Sequence, residues 1–155
     1  MFRKYLLCFL VSMIPLIELR GSMFIAAGME LNYLVALVIC VIGNMLPVPF
    51  IYFFARKILL WGRDKKYIGK FFTYCLEKGE HGGRRLTRAA GRRGLFIALL
   101  LFVGIPLPGT GAWTGTLAAS FLNMGFKSTV TAVSLGVIMA GIIMAVVSTG
   151  VFNII

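Results

Sequence analysis

Glu18 and Arg20 stand two residues apart in "PLIELRGS", with an apolar run on either side. In a lipid core a charge costs at least about 2.5–3.5 kcal/mol on insertion scales, so such residues face a wet cavity or a partner. Two chemistries suit them. The planar fork of Arg20 matches a phosphate or another anion. Glu18 could carry a coupling proton, because desolvation and a neighbouring guanidinium pull on a carboxylate's proton in opposite directions. A plainer alternative stays open: a structural Glu18–Arg20 pair, or two side chains reaching to the membrane interface.

A second set lies in "PLPGTGAWTG", uncharged, yet broken by proline and glycine inside an apolar stretch. Non-helical backbone is tolerated at membrane depth only where protein or water surrounds it. Pro106, Pro108, Gly109 and Gly111 would make a turn there. Its free N–H groups and the hydroxyls of Thr110, Thr114 and Thr116 could solvate a polar substrate. Trp113 would pack on that substrate or on an opposing tip, or serve as an interfacial anchor. A third set, Arg84, Arg85, Arg88, Arg92 and Arg93, could hold anionic lipid head groups or simply signal topology.

Other chemistry has little material. His81 is the one histidine, and Cys8, Cys40 and Cys75 are scattered without metal-ligand spacing. No nucleophile–base set is visible, so neither enzyme activity, nor a metal, nor a cofactor is expected.

The elements that must position these residues follow from composition. Hydrophobic residues make up 59% of the 155, charged ones only 14%, and the mean hydropathy is +0.93. A small soluble domain is nearer half apolar and a quarter charged; this chain reads as an all-α integral membrane protein, multi-pass in the cell membrane. Twelve of its sixteen basic residues fall between Arg56 and Arg93. Lys and Arg collect on the cytoplasmic side, which explains the bias without nucleic acid as a partner. The basic, apolar start "MFRKYLLCFLVSMIPL" mimics a signal peptide, but no clean small-x-small site follows. It is read as mature structure.

A spanning helix needs about 20 apolar residues. Residues 33–55 and 128–155 meet that length, the first with an expected kink at Asn44, Pro47 and Pro49. Residues 5–29 and 95–126 each read as a short run, a breaker and a short run back, which predicts a re-entrant hairpin. Four ordinary spans are the alternative. At a shift of 91 residues, Ile14-Pro15-Leu16 falls on Ile105-Pro106-Leu107, Ala27 on Ala118, and Leu31-Asn32 on Leu122-Asn123. The order hairpin, span, basic loop, hairpin, span predicts two inverted repeats, about 1–56 and 94–155, joined by a cytoplasmic linker over 57–93. Both termini then lie outside. Their broken tips would meet near the midplane, where many secondary transporters bind substrate. In the linker, Tyr67, Ile68, Phe71, Phe72, Cys75 and Leu76 share one helical face, predicting an amphipathic helix on the membrane surface.

"IELRG", "GNMLPVPF" and "PLPGTGAWTGTLAA" resemble the signature of the small multidrug export protein family, over nearly the whole chain. That family is similar in turn to the DedA/VTT membrane proteins, whose basic, glycine-rich approach to a proline-bearing hairpin resembles "GRRGLFIALLLFVGIPLPGTGAWTGTLAA". The resemblance implies opposed re-entrant hairpins and transport or scrambling of lipids, often coupled to protons. DedA proteins carry arginines around the second hairpin's proline, where this chain has Leu101, Phe102 and Gly109. Anion binding then rests on Arg20.

The leading expectation is a small transporter, a flippase, scramblase or proton-coupled carrier of an anionic amphipathic lipid or small molecule. Two others stand beside it: an exporter of cationic drugs, and a non-transporting membrane scaffold. Membrane lipid is the expected partner, and small residues over 128–152 suggest a homo-oligomer such as a dimer.

Overall fold

A computed structural model describes residues 1–15, 17–107 and 109–154, together with all their side chains except those at 75, 79, 80, 82, 83, 86, 87 and 151–154. Seven helices account for most of them: α1 Phe2–Ser12, α2 Glu18–Gly28, α3 Tyr33–Met45, α4 Val48–Arg63, α5 Gly69–Gly104, α6 Ala112–Phe121 and α7 Phe126–Ile154. No strand occurs among the described residues.

Two helical runs are long and apolar enough to cross a membrane, Tyr33–Arg63 and Phe126–Gly150. The first consists of α3 and α4 on either side of Leu46–Pro47. The prolines at which a kink is expected lie at and just after this boundary. Pro47 keeps helical backbone angles and its carbonyl still accepts from the Ile51 N–H at 2.9 Å. Prolines 47 and 49 have no N–H to donate to the preceding turn, yet the helical run continues past them into α4. Asn32 caps α3, its Oδ1 accepting from the N–H groups of Leu34 and Val35 at 3.1 and 3.3 Å. The span thus starts at a fixed residue.

The two halves make matching contacts. In the first, α2 packs on α1, on the following α3 and on the other half's α7; in the second, α6 packs on α5, on the following α7 and on the other half's α4. Gly43 of α3 lies against the Phe9 carbonyl and the Ser12 side chain of α1; Gly136 of α7 lies against the Leu100 carbonyl and the Val103 side chain of α5. Any Cβ at either glycine would come within 2.8 Å of a main-chain oxygen. α2 and α6 also end alike. Glu30 and Asn123 take left-handed φ of 55° and 56°, and the Leu31 and Met124 N–H groups donate back to the carbonyls of Ala26 and Ala119, each at 3.0 Å. This is the reversed turn that closes helices.

Three expectations shift. The first break covers 13–17, before Glu18, so Glu18 and Arg20 occupy the first turn of α2 rather than the loop. The run of short side chains after Arg20 continues as helix because nothing in "GSMFIAAG" forbids it. The basic linker is mostly helical: residues 57–63 finish α4, 64–68 form a turn, and α5 starts at Gly69. Finally, α5 passes from the basic segment towards the second break as one run, interrupted at Gly91, whose φ of 69° and ψ of 177° only glycine adopts readily.

Candidate functional site

Two breaks meet at one junction. The loop over 105–111 separates α5 from α6, and the loop over 13–17 separates α1 from α2. Breaking a helix leaves carbonyls without partners at one new end and N–H groups at the other. The second break therefore presents a partly negative end, the last carbonyls of α5, and a partly positive end, the first N–H groups of α6. Arg20 goes to the first. Its guanidinium donates to the Leu107 carbonyl, to the Ile105 carbonyl at 3.3 Å, and to the Thr110 carbonyl and hydroxyl at 2.8 and 3.0 Å. Glu18 goes to the second, its Oε1 accepting from the Trp113 N–H at 3.4 Å in the first turn of α6. The two charges of one tip complement the two helix ends of the other.

Gly111 permits the approach: a Cβ there would overlap the Glu18 carboxylate. Glu18 itself enters α2 with a left-handed φ of 51°, which aims its side chain across the junction, and it is only 6% exposed. Trp113 ties the tips a second time, its indole Nε1 donating to the Met13 carbonyl at 3.2 Å. Of the interfacial and tip-packing roles open to Trp113, this contact belongs to the second.

The other expected residues divide. Thr110 belongs to the junction; its hydroxyl also lies 3.0 and 2.9 Å from the Ile105 and Leu107 carbonyls. Thr114 and Thr116 lie inside α6 and donate to their own helix, to the carbonyls of Gly111 and Ala112 at 3.2 and 2.6 Å. Gly109 turns the loop with a φ of 82°, and Pro106 is half-buried beside it. Pro108 lies outside the described residues. Arg84, Arg85, Arg88, Arg92 and Arg93 are all exposed along α5, away from the junction.

Three contributors carry no chemical signature in the sequence: the main-chain oxygens of Met13, Ile105 and Leu107. A fourth, Asn44, was visible as a polar residue inside a span. Asn44 is 2% exposed, and its Oδ1 has no hydrogen-bond partner among the described residues. It borders a void of about 10 Å³ shared with Glu18, Arg20, Gly111 and Val137. That space holds one water at most. No group of three or more potential metal ligands occurs among the described residues.

Residues 18–143 match the protein family described as "putative small multi-drug export protein". The chain belongs to this family. The match begins at Glu18 and takes in Arg20, Asn44 and the whole second break, so the junction lies inside the family's shared region. Membership and the two apolar runs together place the chain in a membrane. No curated protein and no solved structure matches it.

Proposed function

We propose that this export-family protein is a small transporter whose two broken-helix tips part to open a path, with Glu18, Arg20 and the 105–111 loop along it. The observation that carries this reading is the exchangeable character of the junction. Arg20 and Glu18 are satisfied by loop carbonyls and helix-end N–H groups, which an incoming anion or a proton can replace without unfolding a helix. The favoured substrate is an anionic amphipathic lipid or small molecule: its phosphate or carboxylate would take the place of the carbonyls on the Arg20 fork, while Glu18 takes up the coupling proton. In this arrangement the halves are inverted repeats with re-entrant hairpins, as in the DedA resemblance. The basic segment is cytoplasmic, both termini lie outside, and the protein is a multi-pass component of the cell membrane that works as a homo-oligomer. The matching contacts of Gly43 and Gly136 support that pairing of halves.

Export of cationic drugs is the second reading. The family description names drug export, and Glu18 would be the cation's partner. Flux in proteoliposomes decides. With an anionic lipid as cargo, Arg20→Ala abolishes flux, Arg20→Lys retains part of it, and Glu18→Gln uncouples it from a proton gradient. With a cationic dye as cargo, loss of flux in Glu18→Gln but not in Arg20→Lys establishes the second reading. Wild-type flux of both cargoes in a folded Glu18→Gln, Arg20→Ala double mutant removes both. No flux of either cargo in the wild type leaves the scaffold.

A further inference from the structure

Away from the junction, the turn between α4 and α5 holds a second polar site. The first membrane run ends at Arg63, so this turn lies where lipid head groups lie. An open, shallow cleft of about 410 Å³ lies there. Arg63, Lys65, Lys66 and Lys70 line it, with Glu77 as the opposing carboxylate. Four like charges around one opening are held together by the fold. The Lys65 N–H donates to the Gly62 carbonyl at 3.1 Å and the Gly69 N–H to the Lys65 carbonyl at 2.8 Å, which pins the turn. The Phe72 ring lies directly on Gly62, closing α5 against α4. Lys65 is further placed by its ammonium, 4.4 Å from the centre of the Trp61 ring. The hydroxyl-bearing Thr73 and Tyr74 complete the wall.

Beside this charged opening, Tyr67 is 95% and Phe71 63% exposed. Bare aromatic side chains at the edge of a membrane run suit an acyl region better than water. A cationic pocket next to an apolar face has the two-part chemistry of a lipid: anionic head, hydrocarbon tail. We infer that the α4–α5 cleft binds the phosphate head group of an anionic membrane lipid, through Arg63, Lys65, Lys66 and Lys70. The site is independent of the junction and of what the junction carries. It also differs from the arginine row of α5. Arg84 is fifteen residues beyond Gly69, about 22 Å further along the helix, and does not line the cleft.

Binding is measured on the purified full chain in zwitterionic detergent by native mass spectrometry, with dioctanoyl phosphatidic acid, dioctanoyl phosphatidylcholine and inorganic phosphate as probes. Phosphatidic acid is expected to bind saturably and to alter Trp61 emission, a change lost in Trp61→Phe. The double variant Lys66→Gln, Lys70→Gln should weaken binding about thirtyfold, from the loss of two interfacial cations. Lys66→Arg, Lys70→Arg should restore it, since both positions are exposed and the charge is kept. Arg84→Gln, Arg85→Gln should bind like the wild type. Equal weakening by the α5 pair would mean diffuse attraction and overturn the site. So would equal binding of phosphatidylcholine. Inorganic phosphate binding as tightly as the lipid would overturn the lipid assignment in favour of a soluble anion.

Discussion

The two tips that meet at the junction make their polarity in different ways. The first brings ionisable side chains, Glu18 and Arg20, on the opening turn of an intact helix. The second brings no charge at all between Gly104 and Ala112; it offers the carbonyl end of α5 and the N–H end of α6. Helix ends carry about half an elementary charge each, so a gap in a helix works as a fixed pair of opposite charges. The difference is instructive about cost. A tip with two ions needs a partner, and a tip with two open helix ends needs one also. Each supplies what the other lacks.

The comparison breaks most readily at Gly111. Gly111→Ala drives a methyl into the Glu18 carboxylate, separating a buried charge from its donors, and should cost about 3–5 kcal/mol. Thermal unfolding of the purified protein reads this out. Gly109→Ala serves as the control on the same loop: its φ of 82° disfavours alanine, but no atom lies within 4 Å of the new methyl, so about 1–2 kcal/mol is expected. If the two variants melt alike, Glu18 is not seated against the second tip.

A smaller effect sharpens the likeness of the halves. Gly43→Ala and Gly136→Ala push a Cβ onto a carbonyl of α1 and of α5 respectively. Each should destabilise by about 1–3 kcal/mol, the usual range for overpacking. Similar losses of melting temperature support equivalent roles; a neutral result at one site alone would show that the halves pack differently. The smallest effect belongs to Trp113→Phe. It removes the bond to the Met13 carbonyl while keeping an aromatic ring, and should cost about 1 kcal/mol. A fluorescence-detected unfolding curve that does not move would remove Trp113 as a link between tips.

Much of this architecture can be read from the residues. The two long apolar helical runs, the helix boundary at Pro47, and the meeting of "PLIELRGS" with "PLPGTGAWTG" follow from run length and from breakers in an apolar setting. The alignment of the halves is legible only in part. A shift of 91 pairs Phe9 with Leu100 and Ser12 with Val103, in agreement with their contacts, but beyond the tips the equivalent residues are 93 apart: Ala26 with Ala119, Gly43 with Gly136. The cause is loop length, five residues over 13–17 against seven over 105–111. Two extra residues in a glycine-rich stretch leave no mark in an alignment of apolar letters. The hydroxyls of Thr114 and Thr116 could not be assigned either, because a threonine looks the same whether its helix starts before it or after it. The carbonyls that hold Arg20 are harder still, since every residue has one and no letter says which is unpaired.

The main-chain origin of three of the four acceptors on Arg20 bears on how such a chain can vary. Substitution replaces side chains and leaves carbonyl oxygens in place. Ile105 and Leu107 can therefore drift to other apolar residues while still holding the guanidinium, provided the loop keeps its length and path. Arg20 has no such latitude: one codon carries the whole of its contribution. The lock is uneven: one side depends on a single side chain, the other on the spacing of a loop. An insertion or deletion within 105–111 would displace these carbonyls, whereas a replacement of Ile105 or Leu107 would leave them in place.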